Sequence, residues 1–177
     1  MIRLVLNDEH LSAALGEALA ACRRRLFIAT ADVKNLHVPL PGAGRRAVSI
    51  LRLLQELSDR NVEICLLHSG VPSESFLQQL RADGVPPNLC MRRCPRVHAK
   101  AVIADGRAMY LGSANLTGAG LGAKSALRRN FEAGIWTDEL SLIDPVLDML
   151  QSIWDATRCR KCGRKAHCPL PLEEPSL

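Results

Sequence analysis

Apolar and polar positions change period several times along this 177-residue chain. Ile2 to Leu6 reads as a short apolar strand, and Leu11, Leu15, Ala18, Leu19 and Cys22 then recur at helical spacing behind Asn7 or Asp8 as cap. Leu26 to Val33 is a continuous apolar strand. Lys34 to Gly44, with Pro39, Pro41, Gly42 and Gly44, reads as a loop. Arg45 to Arg60 reads as a helix with Ile50, Leu51, Leu54 and Leu57 on one face, followed by a buried strand from Val62 to Leu67. Ser73 opens a shorter helix that Asp83-Gly84 closes. Strands at Asn88 to Arg92, Val97 to Ala104, Arg107 to Leu111 and Phe131 to Trp136 come next. Asp144-Pro145 then begins a final helix, proline suiting the first helical position, with Leu147, Leu150, Ile153 and Trp154 facing inward.

Strand and helix alternate early and a hairpin comes late, which predicts an α/β fold: a mixed, mostly parallel sheet flanked by helices. The length fits one domain with its own core, residues 1–157, carrying a Cys-rich tail over 158–177. No internal repeat is present. The longest uncharged run, Ala108 to Ala123, is broken by glycines, so no membrane span is expected. Met1 to Asp8 has neither a long apolar core nor a small-residue cleavage pattern, and a cytoplasmic protein is expected.

The formal net charge is +5, which favours a polyanionic partner. Position matters more than the total. Arg92, Arg93, Arg96 and Lys100 precede the candidate chemistry, Lys124, Arg128 and Arg129 follow it, and five basic residues lie between Arg158 and Lys165. Such clusters fit a groove that tracks a phosphate backbone. With three Phe, two Trp and one Tyr, the chain lacks the aromatics of a base-stacking platform.

The chemistry concentrates between His98 and Asn115. If Val97 to Ala104 is a strand, His98 and Lys100 project from one face, because residues two apart point the same way. Asp105-Gly106 is a hairpin signal, both central positions favouring positive φ. The returning strand then delivers Gly112, Ser113 and Asn115 near His98. A phosphodiester gains negative charge during displacement at phosphorus, so its site needs fixed donors and cations. Lys100, the Ser113 hydroxyl and the Asn115 amide are such groups, Gly112 would allow close approach of backbone, and His98 can attack phosphorus.

The spaced set His98-x-Lys100-x4-Asp105-x6-Gly112-Ser113-x-Asn115 resembles the phospholipase D superfamily signature, H-x-K-x4-D-x6-G-S-x-N. That resemblance implies a phospholipase D-like fold and metal-independent chemistry in which one histidine becomes a phosphohistidine and a second protonates the leaving oxygen. Only one copy of the motif is present, so it further implies a homodimer with a composite site. An acidic residue on a later strand holds the nucleophile in the family, and Glu132 is the candidate, orienting His98 through a ring N–H. The Leu116 to Arg129 loop is longer and richer in glycine than the shortest family members need. Asp105 at the turn is expected to be mainly structural. Arg96, Gly112, Lys124, Arg128 and Arg129 are expected to bind substrate. The reading that follows is an endonuclease on nucleic acid, DNA ahead of RNA. The alternatives are a phospholipase or phosphatidyl transferase, and a non-catalytic DNA-binding or redox-sensing module.

The tail carries Cys159-x2-Cys162-x5-Cys168, three thiolates where a closed tetrahedral site wants four. Cys94 is the first choice for the fourth ligand and Cys90 the second, with His167 an option for zinc. Three tail cysteines plus one upstream resemble the iron staple of RecB-type nucleases, which implies a [4Fe–4S] cluster; structural zinc is the alternative. Cys22 and Cys65 fall on apolar faces and read as core.

Overall fold

The computed structural model describes residues 1–39, 47–164 and 168. Its strands are β1 (Ile2–Leu6), β2 (Arg25–Thr30), β3 (His37–Pro39), β4 (Ala47–Ser49), β5 (Glu63–His68), β6 (Leu89–Arg93), β7 (Lys100–Ala104), β8 (Ala108–Gly112) and β9 (Ala133–Thr137). Seven of these form one sheet in the order β1-β9-β8-β7-β2-β5-β6, while β3 and β4 pair separately. The helices are α1 (Glu9–Leu11), running through a π turn over Ser12–Glu17 into α2 (Ala18–Ala21), then α3 (Ile50–Asp59), α4 (Glu74–Asp83) and α5 (Leu140–Trp154).

The strand alternation sorts side chains into two cores, one on each face of the sheet. Leu26, Ile28, Ile64 and Leu66 face the layer built from the 9–21 helix, α3 and α4. Phe27, Ala29, Cys65 and Leu67 face α5, which contributes Ile143, Leu150 and Trp154. Cys22 and Cys65 are fully buried, as expected of core thiols, and burial pushes both up to about 11.

The sheet is mixed and helix-flanked, but the expectation of mostly parallel pairing is corrected. Only β2–β5 and β5–β6 pair parallel; β1–β9, β9–β8, β8–β7 and β7–β2 are antiparallel. Five strands still share one direction. The hairpin partner β7 and the late strand β9 are threaded between them with reversed sense, which turns like-directed strands into antiparallel neighbours. One consequence decides where chemistry can sit. The carboxyl ends of β1, β2, β5, β6 and β8 and the amino ends of β7 and β9 all meet at a single edge of the sheet.

Two further differences are local. The expected helix from Arg45 begins at Ile50, because Ala47–Ser49 pairs with His37–Pro39 and Ser49 then caps the helix, its hydroxyl accepting from Arg52 N–H at 3.3 Å. The loop expected from Lys34 to Gly44 is corrected at His37–Pro39, which forms β3 by pairing with β4; residues 40–46 lie outside the described residues. The last helix starts at Leu140 rather than at Pro145, which sits inside it. Proline there removes one N–H donor. The carbonyl of Glu139 has already fixed the first turn by accepting from Leu142 and Ile143, and Ile143 is fully buried.

Candidate active site

The motif hairpin forms as its sequence requires. Asp105 and Gly106 take φ of 54° and 66°, and Arg107 N–H closes the turn on the Ala104 carbonyl at 2.9 Å. Pairing of β7 with β8 then sets Lys100 opposite Gly112. The strand is shorter than Val97 to Ala104, however. The ladder stops at Lys100, so His98 lies just outside β7 on an irregular lead-in, exposed, while Val97 beside it is anchored in the α5-side core.

Lys100 is almost fully buried, at 7% exposure, and reaches along the same face to His98. Its Nζ donates to the His98 carbonyl at 2.8 Å and stands 3.1 Å from both ring nitrogens. Burial holds the Lys100 pKa below the usual lysine range, with the Glu132 carboxylate pulling the other way.

Glu132 sits at the amino end of β9, but its partners differ from the expected contact with His98. The Ser113 hydroxyl donates to Glu132 Oε2, and Asn130 Nδ2 donates to Oε1 at 3.0 Å. The reason is the β8–β9 register: Ser113 N–H donates to the Ala133 carbonyl at 3.0 Å and Ala133 N–H to Ser113 Oγ at 3.1 Å, which lays the two side chains together.

Asn115 turns its Oδ1 onto the end of β2, accepting from Ala31 N–H at 3.1 Å and Asp32 N–H at 3.3 Å. Its amide N–H groups have no hydrogen-bond partner among the described residues. The fully buried Thr30 completes this join, its hydroxyl oxygen accepting from Leu116 N–H at 3.0 Å.

Asp105 ties the motif hairpin to the start of β2. Its carboxylate accepts from the backbone N–H groups of Arg23, Arg24 and Arg25, each at 2.8 Å, at the sheet edge opposite His98. Burial works against the anion, but the three backbone donors outweigh it and hold the carboxyl below its ordinary range.

The expected substrate residues divide. Gly112 is not placed for approach of a ligand; an added Cβ would stand 2.9 Å from both the Ala133 carbonyl oxygen and Gly134 Cα and would also strike the Tyr110 hydroxyl. Its role is to let β8, β9 and Tyr110 come together. Arg129 is spent on Asp8 at 3.2 Å, and Arg96 directs Nη1 to Cys162 Sγ at 3.5 Å. Lys124 and Arg128 are exposed on the loop beside Glu132.

Sequence reasoning missed a support beneath the motif. The hydroxyl of buried Tyr110 lies 2.8 Å from His10 Nδ1, and burial pushes its pKa up to about 12, against a hydrogen bond from Ala114 N–H. Nothing in spacing links positions 10 and 110. Only the packing of the 9–21 helix against β8 does.

A family model described as "Cardiolipin synthase, PLD-like domain" matches residues 15–154, a stretch that holds every motif residue. The chain belongs to this phospholipase D-like family. Solved structures agree on the fold. NucT from Helicobacter pylori is 17% identical with a TM-score of 0.63, the match covering 88% of this chain and 96% of that one. Nuc from Salmonella typhimurium, a phospholipase D family member, is 17% identical with a TM-score of 0.58, covering 88% and 94%. TrmBL2, an archaeal chromatin protein whose structure shows a mode of DNA binding, is 13% identical with a TM-score of 0.53, covering 88% of this chain and 53% of that one. No curated protein matches in sequence. Among the described residues no helix is long and apolar enough to cross a membrane.

Proposed function

We propose that this phospholipase D-like chain is a metal-independent phosphodiesterase that cleaves nucleic acid, DNA ahead of RNA, as a homodimer. The observation that carries the reading is the exposed His98 ring with the buried Lys100 ammonium 3.1 Å from its nitrogens, at the edge that also holds Ser113, Asn115 and Glu132. In this mechanism a ring nitrogen of His98 attacks phosphorus and the P–O bond to the leaving oxygen breaks. The imidazolium of a second His98, from the partner subunit, gives that oxygen its proton. The same ring then takes a proton from water, whose oxygen attacks phosphorus and breaks the P–N bond, restoring both histidines. Lys100 and the Asn115 amide supply donors for the charge that grows on the phosphoryl oxygens. Glu132 acts through Ser113, fixing the hydroxyl at the rim.

Several features favour a second copy. His98 and Ser113 are open to solvent in one chain, and the apolar Leu127 and Phe131, at 98% and 95% exposure, lie on the segment that leads into Glu132. Leu6, exposed on β1, pairs with Ala133 next to them. Exposed Lys124 and Arg128 favour a polyanion.

The test is cleavage of labelled single- and double-stranded DNA and RNA in excess EDTA, wild type against His98→Asn. Cleavage that survives EDTA and vanishes in the variant is the expected result. Inactivity on every nucleic acid together with turnover of phosphatidylglycerol vesicles would move the chain to lipid chemistry; unchanged DNA affinity in the variant, with neither form cleaving, would mark a binding module.

A further inference from the structure

The turn that follows α5 lies beyond the stretch matched by the family model, which ends at residue 154. Helix α5 starts at the edge remote from His98 and runs back toward it, ending where Arg92 clamps it. The Arg92 guanidinium stacks over the Trp154 ring at 4.7 Å and donates to the Trp154 carbonyl at 2.6 Å. Ala156 then takes a left-handed φ of 60°, unusual for a residue with a Cβ, and reverses the chain. Two tight turns follow, Cys159 N–H donating to the Ala156 carbonyl at 2.9 Å and Cys162 N–H to the Cys159 carbonyl at 3.1 Å.

This knuckle is seated against the segment that leads into His98. Cys94, Cys159 and Cys162 line one cavity of about 240 Å³ with Arg96 and Arg158, and Arg96 Nη1 donates to Cys162 Sγ at 3.5 Å. Cys90 does not line it, and among the described residues the thiols form no group that could hold a metal ion. The cavity is a seam between two chain segments. Arg96 stands two residues before His98, at most roughly 7 Å along the chain, so the turn stands beside the exposed ring.

Its charge is left open. Arg158, Arg160, Lys161 and Arg164 are exposed, and none of them meets a carboxylate among the described residues. Arg52, Arg81 and Arg129, elsewhere on the surface, are each paired with one. Asp155, the one acid from Asp155 to Arg164, accepts from Gln151 Nε2 at 2.8 Å. Arg158 Nε donates to Ser152 Oγ at 3.0 Å, which orients its guanidinium. Cys162 Sγ takes the Arg164 N–H and the Arg96 guanidinium, and those donors lower its pKa, so the sulfur answers Arg96 and leaves the four outer cations unmatched.

We propose that the 156–164 turn is a phosphate-binding subsite, in which Arg158, Arg160, Lys161 and Arg164 grip the backbone of a nucleic-acid strand a few nucleotides from the phosphodiester that His98 attacks. The inference rests on the phosphodiesterase reading for the place of the reacting bond. Clustered cations gain affinity by releasing the counterions condensed on such a strand. No aromatic side chain lies between Asp155 and Arg164, so the grip is on phosphates and is blind to sequence. The same stretch has no large aliphatic side chain either, whereas a segment bound to a membrane surface sets apolar groups opposite its cations.

The experiment is equilibrium binding of a long labelled DNA strand to the full chain by fluorescence anisotropy, in a His98→Asn background that removes cleavage from the measurement. Arg160→Glu and Lys161→Glu should each weaken binding roughly tenfold and lower the slope of log affinity against log salt by about one. Arg107→Glu makes the same charge change at the remote edge of the sheet and should shift affinity by less than about twofold. Circular dichroism checks that the variants, all at exposed positions, remain folded. Binding by both turn variants equal to that of the parent overturns the subsite, as does equal weakening by Arg107→Glu or a parent that binds no DNA. Tighter binding to phosphatidylglycerol vesicles than to DNA, lost in the same variants, overturns the choice of partner. Cleavage by the wild-type chain is assayed alongside; its absence with the binding pattern intact counts against the phosphodiesterase reading and leaves the turn as a nucleic-acid grip.

Discussion

The Ser113 hydroxyl donates to the Glu132 carboxylate, and in a single chain that carboxylate reaches Ser113 and Asn130 rather than the His98 ring. The acidic residue at the start of β9 therefore acts first on β8. Glu132→Gln, which keeps the shape and removes the charge, should cut turnover by roughly tenfold to a hundredfold while leaving the melting temperature close to wild type. Ser113→Ala should reproduce that loss, and the double variant should be no worse than either single one. Fully additive losses would show that the two side chains work separately.

His98→Asn should abolish cleavage without loss of stability, because the ring is exposed and the local anchor is its buried neighbour Val97. Steady-state rates and thermal melts on the same preparation decide this.

Lys100 presents the opposite bargain. Its folded pKa is lowered, so the unfolded chain holds the proton more tightly, and the buried charge costs stability at neutral pH. Lys100→Met should lose activity by at least about a hundredfold and be as stable as wild type or more so at pH 7. The stability difference should shrink as pH rises toward the ordinary lysine range. Urea titrations across that range provide the check.

Asp105 runs the other way. Its folded pKa lies below the unfolded value, so its contribution is present above about pH 4 and is lost as pH falls through the folded value. Asp105→Asn should cost roughly 1–3 kcal/mol at pH 7 and much less near pH 3, measured by denaturant unfolding. A constant difference across pH would remove the charge from the explanation.

Phe131→Asp should weaken self-association and make activity per chain fall on dilution, as seen by sedimentation alongside rate measurements. Unchanged assembly in that variant would put the partner on another face.

Much of this was legible from spacing. Period-two and period-3.6 patterns located the sheet strands and helices to within a few residues, and Asp105-Gly106 announced its turn. What stayed hidden depended on neighbours distant in sequence. The reversed sense of β9 between β1 and β8 carries no local signature, so the sheet looked more parallel than it is. Gly112 read as an opening for substrate because its crowding by Ala133, Gly134 and Tyr110 arises only on pairing. Thr30 and His10 support the motif from β2 and the 9–21 helix, and polar residues in apolar runs give no hint of the partner they will find. Cys94 could be named for the tail from its place four residues before His98; the cavity it shares with Cys159 and Cys162 could not.

Strand β7 separates the two ends of the signature by its own length, five residues or roughly 17 Å. His98 and Lys100 stand at one end, Asp105 braces the start of β2 at the other. A lineage freed from selection for chemistry would therefore lose the histidine quickly and keep the aspartate, since only the latter is needed to remain folded. Descendants carrying Asp105 and Gly112 without His98 would be silent scaffolds, recognisable by which half of the signature decayed.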